Sequence, residues 1–131
     1  MNQLPELVLI TSDRGLASLL RPIVAAVADI SHFDHKTAVA GLGNALFDAA
    51  LIDAHVPGRM ASVLARLFLY HNPVSRLAVI GGSADNSTVL GLAARDPRVE
   101  VFFDPLDPEL IRRWAYAAIA TATSLRVMTT A

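Results

Sequence analysis

The residue best placed to do chemistry in this sequence is Asp53, in the stretch Leu51-Ile52-Asp53-Ala54-His55-Val56-Pro57-Gly58. The apolar run 49–52 ahead of it has the composition of a buried strand, and the Pro-Gly pair behind it that of a turn. A carboxylate at the carboxyl end of a buried strand lies where open α/β sheets collect ligands and reactive groups. Asp53 therefore sits where a functional carboxylate would sit, and such a group needs partners beside it. The bland reading of Asp53 is a carboxylate that accepts hydrogen bonds from the turn amides.

Partners for Asp53 have to come from the other strand ends. After the first apolar run stand Thr11, Ser12 and Asp13; after the fourth, Gly81, Gly82 and Ser83; after the fifth, Asp104-Pro105. These are hydroxyls, glycines and further acids, with no cation among them. Asp13 reads either as an N-cap of the following helix or as a ligand reaching a metal through water. Ser83 reads as a loop residue or as a free hydroxyl near the strand end. Asp104 reads as a solvated turn or as an acid that fixes one conformation.

Five short apolar runs alternate with helical patterns. Strands are expected at 7–11, 29–33, 49–53, 77–80 and 99–103. Helices are expected at 16–28, with Pro22 inside, and at 37–47, with Gly41 and Gly43 inside. Three more fall at 60–70, from Asn86 or Ser87 to 95, and from Pro108, capped by Asp107, to about 125. The strands are continuously apolar rather than alternating, so both faces of the sheet must be covered. Right-handed β-α units then build an α/β, doubly wound, parallel five-stranded sheet with five helices, of flavodoxin-like order 2-1-3-4-5. One domain over 1–131, with its core at about 6–122, accounts for the whole length.

Composition narrows the functions. With no cysteine, disulfide frameworks and thiolate metal sites are excluded. The net charge is −1 and the basic residues are scattered, which argues against direct nucleic-acid binding. No apolar run approaches the roughly 18 residues of a membrane span, and residues 1–6 lack the basic flank of a signal peptide, so a cytoplasmic protein is expected.

The order of elements, the segment Asp48-Ala49-Ala50-Leu51-Ile52-Asp53-Ala54-His55-Val56-Pro57-Gly58 and the segment Asp104-Pro105-Leu106-Asp107-Pro108-Glu109-Leu110 together resemble a CheY-like response-regulator receiver domain. The resemblance spans about residues 6–122. It implies that Asp53 stands at the phosphoacceptor position. It also implies that Thr11 and Ser12 replace the acidic pair that holds Mg²⁺, with Asp13 displaced by one. Gly81 replaces the Thr or Ser that binds the phosphoryl oxygen, Asp104 replaces the lysine, and Val101 replaces the switching aromatic.

Neutral hydroxyls are poor substitutes for carboxylates around Mg²⁺. Exchanging Lys for Asp reverses a local term worth roughly 4 kcal/mol at 4 Å and an effective dielectric near 20. The expectation is therefore a degenerate receiver, or pseudo-receiver. It would be a bacterial signalling and interaction module without enzymatic activity, with no cofactor and weak or absent Mg²⁺ binding. It would act as the regulatory half of a transcription regulator through a protein partner or homodimer. The contact face would be helix 4, strand 5 and helix 5, with Arg95, Arg98, Glu100, Arg112, Arg113 and Tyr116 on or near it. Trp114 is read as either core or interface. Two alternatives stand beside this. One is a receiver still phosphorylated on Asp53 by a histidine kinase, through an altered metal site drawing on Asp13 and backbone carbonyls. The other is a small-molecule binder, because Asp53-Ala54-His55-Val56-Pro57-Gly58 is similar to the D-x-H-x-x-G of cobalamin-binding domains, with Ser62 and Gly81-Gly82 as loose extensions. His55 as a lone metal ligand has no partner at ligand spacing in His32, His35 or His71.

Overall fold

The computed structural model describes residues 4–56, 60–82 and 87–130. Along the chain run β1 (Glu6–Ile10), α1 (Arg14–Val24), β2 (Asp29–Phe33), α2 (Ala38–Asn44), β3 (Ala49–Asp53), α3 (Met60–His71), β4 (Arg76–Gly82), α4 (Ser87–Arg95), β5 (Val99–Phe103) and α5 (Pro108–Thr130). The strands form one sheet in the order β2-β1-β3-β4-β5, every pair parallel. This is the expected doubly wound topology.

The apolar strands explain the layering. Alternate residues of a strand point to opposite faces. Val8, Ile10, Ala50, Ile52, Leu77 and Val79 meet α2, α3 and α4 through Leu42, Leu64, Phe68 and Val89. Their neighbours Leu7, Leu9, Ala49, Leu51, Ala78 and Ile80 meet α1 and α5 through Leu20, Val24, Ile111, Trp114 and Ala118. All five residues of β3 are buried, so Asp53 emerges from the centre of the molecule. The edge strands β2 and β5 are only half covered.

Several boundaries differ from the sequence reading, each for a local reason. α1 starts at Arg14 because the Asp13 side chain accepts from the amides of Gly15 and Leu16, and it stops at Val24. Pro22 sits on the exposed side of its last turns rather than breaking it. α2 is shorter than 37–47 and ends at Asn44, consistent with its two glycines weakening it by about 1 kcal/mol each. Gly41 also brings α2 close to β2. A Cβ there would lie 2.6 Å from the Phe33 ring, so the ring packs on bare backbone. β4 continues through Gly81 and Gly82, which extend the strand instead of closing it. α5 continues past 125 to Thr130.

The amino ends of the strands are closed by a polar knot. The buried Asn72 side chain accepts from the Phe47 amide (2.8 Å) and donates to the Phe68 carbonyl (2.9 Å). Arg98 donates to the carbonyls of Asn72 and Pro73 at the end of α3 and is held by Asp96. Its guanidinium therefore serves this knot, not the surface patch on which the sequence reading placed it. Removing the Asn72 side chain leaves the buried Phe47 amide without its acceptor, at about 1–3 kcal/mol, while the Phe68 carbonyl keeps the Asn72 backbone amide as a donor. Asn72→Ala is expected to lower the unfolding free energy by about 1–3 kcal/mol in urea titrations, with the far-UV spectrum unchanged.

Candidate functional site

At the carboxyl ends of the strands Asp53 is 3% exposed, and both of its oxygens are engaged. Oδ2 accepts the Thr11 hydroxyl at 2.7 Å, and Oδ1 accepts the His55 amide at 2.8 Å. The Thr11 hydroxyl is aimed. Its oxygen accepts the Asp13 amide at 3.0 Å, which leaves its single proton for Asp53. Thr11 is fully buried, its amide donates to the Phe33 carbonyl, and its carbonyl accepts His32 Nε2–H at 2.9 Å. The bland reading of Asp53 named the turn amides; the threonine donor it did not name.

Of the other strand-end groups, Asp13 gives Oδ1 to the amides of Gly15 (2.9 Å) and Leu16 (3.1 Å), so it caps α1. Ser12 is exposed and its hydroxyl lies 2.6 Å from His35 Nδ1, away from Asp53. Among the described residues no three His, Asp or Glu side chains converge as a metal cluster. The donors that could surround a hard divalent cation beside Asp53 are thus a neutral hydroxyl already bonded to it and an acid already capping a helix. A cation there would have to compete with both of those bonds for its oxygen ligands. Pro57, Gly58 and Ser83 lie outside the described residues.

The remaining charges sit above Gly81. His55 Nε2 and Asp104 Oδ2 are 3.0 Å apart, with side chains 63% and 53% exposed. They come from β3 and β5, which are not neighbours, so they face each other across β4, about two strand spacings or 9–10 Å wide. Gly81 makes the crossing possible. Its φ is +81°, in the region that favours glycine, and a Cβ would stand 3.1–3.2 Å from the His55 ring and 3.6 Å from Asp104 Oδ1. The Asp104 carboxylate raises the imidazole pKa above its ordinary value of 6.5, opposed by partial burial and assisted by the Asp53 charge and the Gly81 carbonyl. A pair this exposed contributes about 0.2–1 kcal/mol after solvent screening.

Three solved structures share this architecture. One described as adenylate cyclase from Rhodopirellula baltica superposes with a TM-score of 0.80 at 17% identity, over 97% of this chain and 96% of that one. The signal receiver domain of an HD domain-containing protein from Pseudomonas fluorescens Pf-5 gives 0.79 at 17%, over 96% and 94%. A CheY-like response regulator receiver domain protein from Methanospirillum hungatei JF-1 gives 0.77 at 13%, over 93% and 98%. The fold is that of response-regulator receiver domains. No family model and no curated protein matches the sequence.

On the receiver fold the corresponding positions come together at one sheet edge. Thr11 and Asp53 touch, Gly81 lies under His55, and Asp104 faces His55. Ser12 and Asp13 point elsewhere. Val101 is half-buried against α4 and the sheet. Of the two aromatics on α5, Trp114 is core, while Tyr116 is exposed with the Arg112 guanidinium 5.8 Å above its ring. Ser62 is buried on α3. The sequence reading weighed His55 only as a metal ligand and missed its partner. The signal was available: a histidine two residues past β3, an acid just past β5, and a glycine on the strand between.

Thr11→Val keeps the shape of the side chain and deletes its hydroxyl. It leaves Asp53 Oδ2 without its donor and the Asp13 amide without its acceptor. Chemical denaturation is expected to show a loss of about 1.5–3 kcal/mol, the range for hydrogen bonds to charged groups, with Thr11→Ser much closer to the parent.

Proposed function

We propose that this chain is an atypical receiver, or pseudo-receiver: a signalling and protein-interaction module whose output does not run through a Mg²⁺-dependent aspartyl phosphate. The observation that carries this reading is the setting of Asp53: it is buried, each of its oxygens already accepts one hydrogen bond, from Thr11 and from the His55 amide, and Asp104 stands where the family has its lysine. A nucleophilic carboxylate needs a free oxygen lone pair facing the phosphorus and a counter-charge for the oxygens of the transferring group. Here the residue at the family's lysine position is an acid, and the imidazole of His55 is turned to that acid. An incoming phosphoryl group would meet the Asp53 and Asp104 charges together. The reading makes the chain a non-enzyme and makes Mg²⁺ affinity at this site weak or absent.

In this reading the module works in the cytoplasm as the regulatory part of a longer protein, with a transcription regulator as one setting. None of the described helices is long and apolar enough to cross a membrane. The contact face is α4–β5–α5. It exposes Phe103, Leu110 and Tyr116 among the charged groups Arg112, Arg113 and Glu109, which pair along the helix. Apolar and aromatic groups ringed by arginine suit a protein partner or a second copy.

Two measurements test the reading. Incubation with a small phosphodonor and Mg²⁺, or with beryllofluoride and Mg²⁺, is expected to leave the intact mass and the amide NMR spectrum unchanged. A stoichiometric, Mg²⁺-dependent adduct that disappears in Asp53→Asn overturns it in favour of the phosphorylated alternative. Sedimentation of Tyr116→Glu is expected to show self-association, or binding to the cognate partner, weakened by about tenfold, the usual loss at an interface aromatic.

A further inference from the structure

The pair across Gly81 joins two loops that no hydrogen-bonded strand ladder connects directly. β3 and β5 are separated by β4, and among the described residues the turn after Asp53 and the turn at Asp104 share no backbone hydrogen bond. Each is instead stitched to β4. The Ala54 amide donates to the Ile80 carbonyl at 2.8 Å, and the Asp104 amide donates to the Gly82 carbonyl at 3.2 Å. The His55–Asp104 contact closes the span between these two stitches, with the imidazole seated on bare backbone at Gly81.

We propose that His55 is a proton-operated clasp: protonated, it ties the β3–α3 turn to the β5–α5 turn across Gly81, and neutral, it lets the two turns part more readily. Four features carry this. Asp104 Oδ2 is only an acceptor when ionised, so Nε2 is the donor in the contact, and protonation of the ring turns that bond into a charge-assisted one. The imidazole is the one group of the pair whose ordinary pKa lies near neutrality. The charged groups acting on it are Asp104 from the β5–α5 turn and Asp53 from β3, with the Gly81 carbonyl from β4, and all of these favour the protonated ring. Finally, the ring and the carboxylate are both solvent-accessible, so protons exchange without unfolding.

The sign follows from the direction of the shift. A histidine whose pKa is raised in the closed form contributes fully below its free value of about 6.5. The contribution fades as pH rises through the raised value. The clasp is therefore tight on the acid side of neutrality and loose on the alkaline side. The β5–α5 turn leads directly into α5, through the Asp107 cap, so release is felt first at the foot of that helix. The clasp holds whether or not Asp53 ever accepts a phosphoryl group, so it stands apart from the function proposed above.

Native-state hydrogen exchange on the whole chain tests it, with rates corrected for intrinsic pH dependence. The Ala54 and Asp104 amides report the two stitches, and the Leu77 amide, bonded to the Arg98 carbonyl at the other end of the sheet, is the control. Protection of Ala54 and Asp104 is expected to be about two- to fivefold higher at pH 5.5 than at pH 8.5, the ratio that an exposed pair supports. Leu77 should not change. In Asp104→Asn and in His55→Gln the pH dependence should vanish while the NMR spectrum of the core stays the same. A flat profile in the parent protein overturns the clasp, and so does a profile that survives in both variants.

Discussion

A carboxylate buried at the end of an apolar strand must find donors, and that requirement organises the carboxyl edge of this sheet. An ionised group in such a place is costly unless hydrogen bonds replace its water. Here the replacement is a relay. The first amides of α1 hold Asp13, the Asp13 amide orients the Thr11 hydroxyl, and that hydroxyl donates to Asp53, whose other oxygen takes the His55 amide. Each link is a hydrogen bond that stands in for the water a buried carboxylate loses, so the carboxyl edge is held together by polar groups rather than by packing alone.

The charges above the relay are arranged in the reverse of what the family resemblance implies. The acid stands after β5 and the cation after β3, with a glycine between them on β4. The histidine reaches across β4 to give Asp104 a partner. The opposite end of the sheet is a contrast. There Asn72, Ser75, Asp96 and Arg98 form a largely buried network tied to backbone carbonyls and amides, which fixes the fold and offers no reactive group.

Most of the architecture was legible because continuous apolar strands leave few solutions. Runs such as Ala49–Ile52 must be covered on both sides, and parallel strands with right-handed crossovers then prescribe the layers. Helix ends were less legible, since they depend on particular caps and packings. Asp13 moved the start of α1 forward, and the glycines of α2 truncated it. Arg98 reads as a surface charge in sequence and proves to be a helix-end donor, because the carbonyls it serves lie 25–29 residues away. The site was legible as a set of absences. What pairs with what was not, because Thr11 with Asp53 and His55 with Asp104 are long-range contacts, 42 and 49 residues apart.

Gly81 has a consequence for how such a site can change over generations. Its backbone angle strains any side chain at that position, and a Cβ would crowd the imidazole resting on it at 3.1–3.2 Å. A lone mutation to serine or threonine would bring in a hydroxyl, strain the main chain and push the exposed ring aside by a few tenths of an ångström. A hydroxyl on β4 therefore fits more easily together with a smaller residue at position 55 than alone, which couples the two positions.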